Sequence, residues 1–301
     1  FNMKKFITYI LVIGVLCSCE KVIPFTGDVT QPKLVVNSLF DAENPWNVNV
    51  SQSLSVIDNG TLSYVENATV LIKDNQDNIV ETLYYDSNWS YSGNLYPQVG
   101  QEYRVEVTAD GFTPVSAVNN LPSPITIPNV DTATTTINNE QRFEMSVTIN
   151  DPAGVSNYYL ISVHAGGWFD EEIWNGSFWE IDSSFYDFAV PILVNDPIFE
   201  NYGSDRWENK GIFTDFSFDG QSRTIDIAIG IDDLGEKFSD LDFLEVRIFN
   251  ITEAAYLYNK SYDLYQNASG NPFAQPVQVY SNITEGFGLF AGQQLNVFSI
   301  L

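Results

Sequence analysis

The chain has few of the side chains that most enzymes and metal sites use. Its 301 residues include one histidine, His164, and two cysteines, Cys17 and Cys19. A Ser-His-Asp triad would have to use His164, but no nucleophile motif lies near it in the sequence. A zinc site would lack its usual ligands. We therefore expect no enzymatic activity, no cofactor, and a structural or surface role for His164.

Basic residues are also scarce, since 13 Lys and Arg stand against 39 Asp and Glu, a formal net charge of −26. Nucleic acid is excluded as a partner because phosphate binding needs clustered Lys and Arg. The first interpretation of the acidic residues is that they keep the protein soluble, and the alternative is that some acidic loops bind a cation. The candidate Ca²⁺ loop contains Asp232, Asp233 and Asp240, whose hard oxygens suit the ion although EF-hand spacing is absent.

Long apolar runs are missing as well. The run Phe6–Leu16 has 11 residues, too few for a transmembrane helix, which needs about 20. Lys4 and Lys5 precede it, and this combination is typical of a secretory signal peptide. We expect a signal peptide over residues 1–18.

The end of that run, Leu16-Cys17-Ser18-Cys19, resembles the bacterial lipobox. The resemblance implies cleavage after Ser18 and lipidation of Cys19, with residues 19–32 as a tether. Two or three acyl chains give a stable anchor. We expect a lipoprotein of the outer membrane, while its position on the cell surface or the periplasmic face stays open.

Aromatic residues make up 14% of the chain, and short alternating runs separated by turn residues predict an all-β fold. The runs in the first half lie at 33–39, 47–51, 65–73, 79–85 and 101–107. They predict a β-sandwich over residues 33–120. Segments 67–83 and 96–112 resemble the transthyretin-like or carboxypeptidase-regulatory type, and an immunoglobulin-like sandwich is the alternative.

A Pro-rich linker is expected at residues 121–130, followed by a second β-sandwich over 131–301. Its predicted strands lie at 143–149, 158–163, 224–231 and 243–249, and a single helix is expected at about 252–267 with Thr252 as its N-cap. Asp131-Thr132-Ala133 resembles an O-glycosylation acceptor of the Bacteroidota, which makes Thr132 a candidate glycan site.

An insertion with weak periodicity is expected at about 164–222, and it is rich in aromatic and acidic residues. The candidate ligand or partner surface consists of Trp168, Phe169, Asp170, Glu172, Trp174 and Trp179. Long segments of this kind are often functional, and three interpretations stay open. The segment packs on its own domain, it binds a partner or a glycan, or it is the active site of a hydrolase. In the last case the acid and base would come from Asp170, Glu171, Glu172 and Glu180.

The closing segment, residues 277–292, reads VQVYSNITEGFGLFAG and places glycines at 286, 288 and 292 around Phe287 and Phe290. We expect these glycines to fold the C-terminus onto the second sandwich. Together with the start CEKVIPFTGDVTQPKLVVNSLF, the segment resembles a Bacteroidota lipoprotein family of unknown function, domain of unknown function 4249. Members of that family are often encoded beside SusC-like TonB-dependent receptors.

The resemblance implies a non-enzymatic accessory or binding component of a TonB-dependent nutrient-uptake complex at the outer membrane. Its expected partners are the outer membrane, through the lipid on Cys19, an outer-membrane β-barrel receptor, and a glycan or peptide cargo. The alternative is an envelope or outer-membrane protein assembly factor. A glycan hydrolase is the third hypothesis. The family has no established activity, so no catalytic residue is carried over from it.

Overall fold

The computed structural model describes residues 31–55, 61, 63–86, 88–137, 140–194, 196–200, 208–231, 241–269 and 273–301, with only the backbone at 137 and 169–171. Lys33–Ser53 and Leu62–Leu301 form one compact unit. The other unit, Phe1–Pro32 and Leu54–Thr61, is described only at residues 31, 32, 54, 55 and 61. Within the described ranges, no helix has the length and apolarity needed to cross a membrane.

The strands of the first part are β1 (Leu34–Phe40), β2 (Asn47–Gln52), β3 (Ser63–Tyr64), β4 (Thr69–Asp74), β5 (Ile79–Tyr85), β6 (Tyr91–Ser92), β7 (Glu102–Thr108) and β8 (Val115–Asn120). The second part contains β9 (Thr126–Ile137), β10 (Glu140–Asn150), β11 (Tyr158–Trp174), β12 (Trp179–Val190), β13 (Ile192–Val194), β14 (Gly211–Thr214), β15 (Ser222–Gly230), β16 (Phe243–Ile251), helix α1 (Glu253–Ala268) and β17 (Phe287–Ser299). Each predicted alternating run overlaps a strand, although residues 65–68 of the run 65–73 lie before β4, and the prediction of a mostly β chain is confirmed.

The described strands form one large mixed sheet and one small antiparallel sheet. The large sheet has 13 strands in the order β12-β11-β16-β17-β1-β2-β6-β5-β4-β7-β8, with β14 beside β11 and β3 beside β2. The small sheet has the order β13-β15-β10-β9. The assignment to two separate sandwich domains stays a prediction.

Strand β17 joins the two parts of the large sheet. Its first half pairs in parallel with β1, from Val35 opposite Phe287 to Phe40 opposite Gly292. Its second half pairs antiparallel with β16. The closing glycines therefore pack mainly on the N-terminal strands, whereas the residues after them pair with β16, so the expectation that the C-terminus folds onto the second part holds for residues 293–299 alone. Glycine is needed at position 288 for a steric reason, because a Cβ there would lie 2.1 Å from the carbonyl oxygen of Val36.

Apolar side chains fill three clusters of buried residues in the described part. The first lies among the N-terminal strands and includes the ring contacts of Phe40, Trp46, Tyr103 and Phe290. The second lies between the large and small sheets, where Met145, Val147 and Ile149 of β10 join Tyr159, Ile161 and Val163 of β11. The third packs α1 on the large sheet through Ala254, Ala255, Tyr256, Ile212 and Leu289. Successive residues of β11 alternate between the second and third clusters, so the helix and the small sheet cover opposite faces of the large sheet.

The expected linker at 121–130 is a free connection only in its first part, because β9 begins at Thr126 and pairs with β10 in the small sheet. Ile125 and Val130 lie in the core between the sheets. Pro128 is tolerated because β9 is the last strand of the small sheet and its register shifts near this position. An edge strand with a bulge does not need the missing N–H of proline.

The expected insertion at 164–222 also differs from the prediction. Its first part is a regular hairpin, since β11 continues to Trp174 and β12 returns from Trp179. Helix α1 confirms the predicted helix, but the hydroxyl of Thr252 makes no capping hydrogen bond. The backbone N–H of Thr252 instead donates to the carbonyl of Gly292 on the neighbouring strand.

Candidate functional site

The hairpin formed by β11 and β12 extends beyond the rest of the large sheet. Strand β16 pairs with β11 only as far as Gly166, which lies opposite Phe243, whereas β12 pairs with β11 as far as Trp174. Among the described residues, no third strand pairs with residues 167–186, which we call the hairpin ribbon. An isolated two-stranded ribbon is marginally stable in water, and its outer backbone groups are open to another strand.

The pairing register sorts the side chains of the ribbon onto two faces. Directly paired residues of an antiparallel ladder point to the same face, as do residues two apart on one strand. Trp174 pairs with Trp179, Glu172 with Ile181, and Trp168 with Phe185. One face therefore carries a set of apolar side chains, which we call the aromatic face: Trp168, Trp174, Trp179, Ile181 and Phe185.

The aromatic face is open to solvent. Trp179 is 64% exposed and Ile181 is 69% exposed. The ring centroids of Trp174 and Trp179 lie 5.4 Å apart, and those of Trp168 and Phe185 lie 5.6 Å apart. These contacts form two exposed ring pairs on one face of the ribbon, and Glu172 and Ser183 lie between them on the same face.

The opposite face of the ribbon is more polar. Glu180 pairs with Ile173, and Asp182 lies two residues further along the same strand. At the tip, the side-chain oxygen of Asn175 accepts hydrogen bonds from the backbone N–H groups of Ser177 and Phe178. This Asx turn fixes the reversal of the chain. The ribbon therefore has one face on which aromatic side chains predominate, with Glu172 among them, and a more polar face that carries Glu180 and Asp182.

At the base of the ribbon, His164 is held in a polar network. Its Nδ1 lies 2.9 Å from a carboxylate oxygen of Asp187 and 2.9 Å from a guanidinium nitrogen of Arg247. Arg247 also donates to the second carboxylate oxygen of Asp187 at 3.0 Å. Partial burial opposes ionisation of Asp187, but the hydrogen bonds from His164 and Arg247 outweigh it and lower the pKa of that carboxyl. The network anchors β12 to β16 beneath the aromatic face.

The hydrolase hypothesis needs two carboxylates on either side of one glycosidic bond. Glu172 lies on the aromatic face, whereas Glu180 lies on the opposite face of the ribbon. These two residues therefore cannot serve one substrate as acid and base. The side chains of Asp170 and Glu171 lie outside the described residues.

Of the other predicted site residues, only Thr132 has a described side chain. Thr132 is exposed on the edge strand β9. The side chain of Phe169 is not described, and Cys19 and the proposed Ca²⁺ ligands Asp232, Asp233 and Asp240 also lie outside the described residues.

Sequence reasoning missed two features. Ile181 and Phe185 extend the aromatic face, and the alternation of apolar residues from Trp179 to Phe185 could have revealed them. The second feature is a group of carboxylates from Asp151, Asp215 and Asp219, whose oxygens lie within 4.8 Å of one another. These aspartates come from two distant loops, so spacing in the sequence gives no signal for them.

Comparison with known proteins gives a family and no activity. No curated protein matches this chain. The family described as "Domain of unknown function (DUF4249)" matches residues 20–296. This match covers nearly the whole chain, and the protein therefore belongs to the DUF4249 family.

Proposed function

We propose that the protein is a non-enzymatic, lipid-anchored binding component of a TonB-dependent, SusC-like nutrient-uptake complex at the outer membrane. The observation that carries the proposal is the hairpin ribbon with its exposed aromatic face. The ribbon is the surface that contacts the partner.

Physical chemistry favours a covered aromatic face. Large contiguous apolar surfaces are uncommon on monomeric soluble proteins and mark interaction sites. Trp and Phe each present about 150–250 Å² of surface, and aromatic residues are enriched at the energetic centres of protein interfaces. A partner that covers this face would also stabilise a ribbon that lacks neighbouring strands.

The polar surroundings favour a protein as the partner. Glu172, Glu180 and Asp182 flank the apolar side chains, and the chain carries a formal net charge of −26. These charges disfavour insertion into an anionic lipid surface. Strand β12 ends the order of the large sheet, so its outer edge can accept a strand from a partner by β-augmentation.

The outer-membrane location rests on the lipobox resemblance at residues 16–19. Cys19→Ser should abolish labelling of the protein with palmitate and release it from membranes. The matched control is Cys17→Ser, which lies inside the expected signal peptide and should still be labelled. Unchanged labelling of Cys19→Ser would contradict the anchor.

The decisive experiment is purification of the native lipoprotein from detergent-solubilised outer membranes, followed by identification of proteins bound in stoichiometric amounts. We expect a SusC-like receptor. Recovery of a barrel-assembly protein in its place would favour the assembly-factor alternative, and recovery of no partner would contradict the proposal.

The double substitution Trp174→Ala/Trp179→Ala tests whether the aromatic face carries the binding. Interface tryptophans often contribute about 2 kcal/mol or more each, so the loss of both should weaken the partner's affinity by about 4 kcal/mol, or about 1000-fold. Trp89→Ala is the matched control, because Trp89 and Trp174 are both 52% exposed and Trp89 lies outside the ribbon. Equal capture by both variants would show that another surface binds the partner.

A further inference from the structure

Three aspartates meet at the end of β11 that lies away from the hairpin ribbon. Asp151 follows β10, Asp215 follows β14, and Asp219 lies in the turn before β15. One carboxylate oxygen from each lies within 4.8 Å of those of the other two. Asp151 and Asp215 are buried, whereas Asp219 is exposed.

Each of the three carboxylates is fixed in position by donors. The Tyr159 hydroxyl and the backbone N–H of Gly220 donate to Asp151. The backbone N–H of Asn157 donates to Asp215 at 2.7 Å, and that of Gly154 donates to Asp219 at 2.8 Å. Donors of this kind orient metal ligands in proteins. No Lys, Arg or His of the described chain forms an ion pair with any of the three.

The amide oxygen of Asn157 is a second and independent observation. Asn157 is 8% exposed, and its side-chain oxygen has no hydrogen-bond donor. The backbone N–H of Asp215 donates to the carbonyl of Asn157, and the next pair along is Tyr158 opposite Thr214. Asn157 therefore lies directly opposite Asp215, and side chains of opposed residues leave the ladder on the same face. The Asn157 side chain, which carries the unsatisfied oxygen, thus leaves the ladder on the same side as the side chain of Asp215.

We propose that Asp151, Asp215, Asp219 and the amide oxygen of Asn157 bind a Ca²⁺ ion. Ca²⁺ takes carboxylate and amide oxygens at about 2.3–2.6 Å, so two ligands of one ion are at most about 5 Å apart. The carboxylate oxygens lie within 4.8 Å of one another, which fits this requirement. The site has no nitrogen or sulfur ligand of the kind that zinc prefers.

The proposed Ca²⁺ site is open to solvent, and it lies between two loops that a bound ion would join. An open cavity lined by Gly154, Ser156, Asp215 and Asp219 adjoins the carboxylates, and it admits the ion with the waters that complete its coordination. A bound ion joins the loop after β10 to the loop between β14 and β15. It therefore stabilises the start of β11, the strand whose other end forms the hairpin ribbon.

The test is calorimetric titration of the purified full chain in detergent with CaCl₂ after removal of metal with a chelator, together with thermal unfolding. We expect one bound Ca²⁺ and a rise in Tm of about 3 °C or more at saturation. Asp219→Asn should weaken Ca²⁺ binding by about tenfold or more. Its Tm without Ca²⁺ should not fall, because one of three mutually repelling carboxylates has been removed.

Asp110→Asn is the matched control, because it removes the same charge from an exposed turn and should bind Ca²⁺ like the wild type. Asp215→Asn removes a buried ligand and should also weaken Ca²⁺ binding. If that variant does not fold, the result with Asp219→Asn, at an exposed position, decides the outcome. An absence of binding up to about 5 mM Ca²⁺, beyond the range of weak extracellular sites, would overturn the proposal. A rise in Tm that NaCl of equal ionic strength reproduces, or that Asp219→Asn retains, would also overturn it because it would indicate charge screening.

Discussion

Gly288 offers a sharp test of how β17 joins the two parts of the large sheet. Its φ is +109°, and it pairs in parallel with Val36 of β1. A Cβ at this position would lie 2.1 Å from the carbonyl oxygen of Val36. Gly288→Ala therefore combines backbone strain of about 1–3 kcal/mol with a clash that separates the two strands. We expect a loss of about 3–5 kcal/mol, a large fraction of the usual stability of about 5–15 kcal/mol.

The assay is urea unfolding followed by tryptophan fluorescence, since Trp46 is almost fully buried near Phe290 of β17. Gly111→Ala is the matched control, because Gly111 has a φ of +84° but no atom within 4 Å of an added Cβ. Gly111→Ala should lower the free energy of unfolding only through backbone strain, by about 1 kcal/mol. If the two variants differ by less than about 0.5 kcal/mol, a spread typical of neutral surface changes, the close approach of β17 to β1 is refuted.

Three further predictions concern the core and the base of the ribbon. Phe290→Ala removes a fully buried ring and should cost about 3–5 kcal/mol in urea unfolding; a cost below about 1 kcal/mol would contradict its packing. Asn282→Ala removes the amide that donates to and accepts from the backbone of Phe290, and a loss of about 1–3 kcal/mol is expected from the same assay. Arg247→Gln should raise the pKa of Asp187 measured by NMR titration, because a donor that lowers it is lost. A lowered pKa stabilises the folded state fully above the pKa of the unfolded state, and this stabilisation is lost as the pH falls through the pKa of the folded state. The difference in Tm between this variant and the wild type should therefore be present at pH 7 and vanish as Asp187 is protonated in acid. A Tm difference that persists in acid would show that Arg247 acts through packing alone.

Local patterns were sufficient for nine of the described strands, in whole or in part, and for the helix. Alternation in Glu102–Thr108 and Phe243–Ile251 predicts strands because each of them has one face in a core, which imposes a period of two. The helix at Glu253–Ala268 was also predicted from its own periodicity and its flanking breakers. In these segments the burial is one-sided, so the sequence carries the signal directly.

The sequence failed to predict strands in segments where burial on one face did not impose an alternating pattern. The insertion prediction missed the ribbon strands because the described side chains at 168 and 172–183 are exposed on both faces, so neither face had to be apolar throughout. The linker prediction treated Pro128 as a breaker, whereas the edge position of β9 and its shifted register accommodate proline. Both cases depend on which strands are neighbours, and this information is nonlocal.

The sequence by itself determined the β-rich class, the positions of the strands that alternate clearly, the predicted helix and the aromatic character of the candidate surface, because these follow from composition and short-range periodicity. Only the tertiary structure decided that the aromatic side chains of the ribbon share one face, that β17 pairs with both β1 and β16, and that Asp151 meets Asp215 and Asp219. The physical reason is that register and loop proximity are set by packing between residues far apart in the chain, and no local pattern records which distant partner a segment will find.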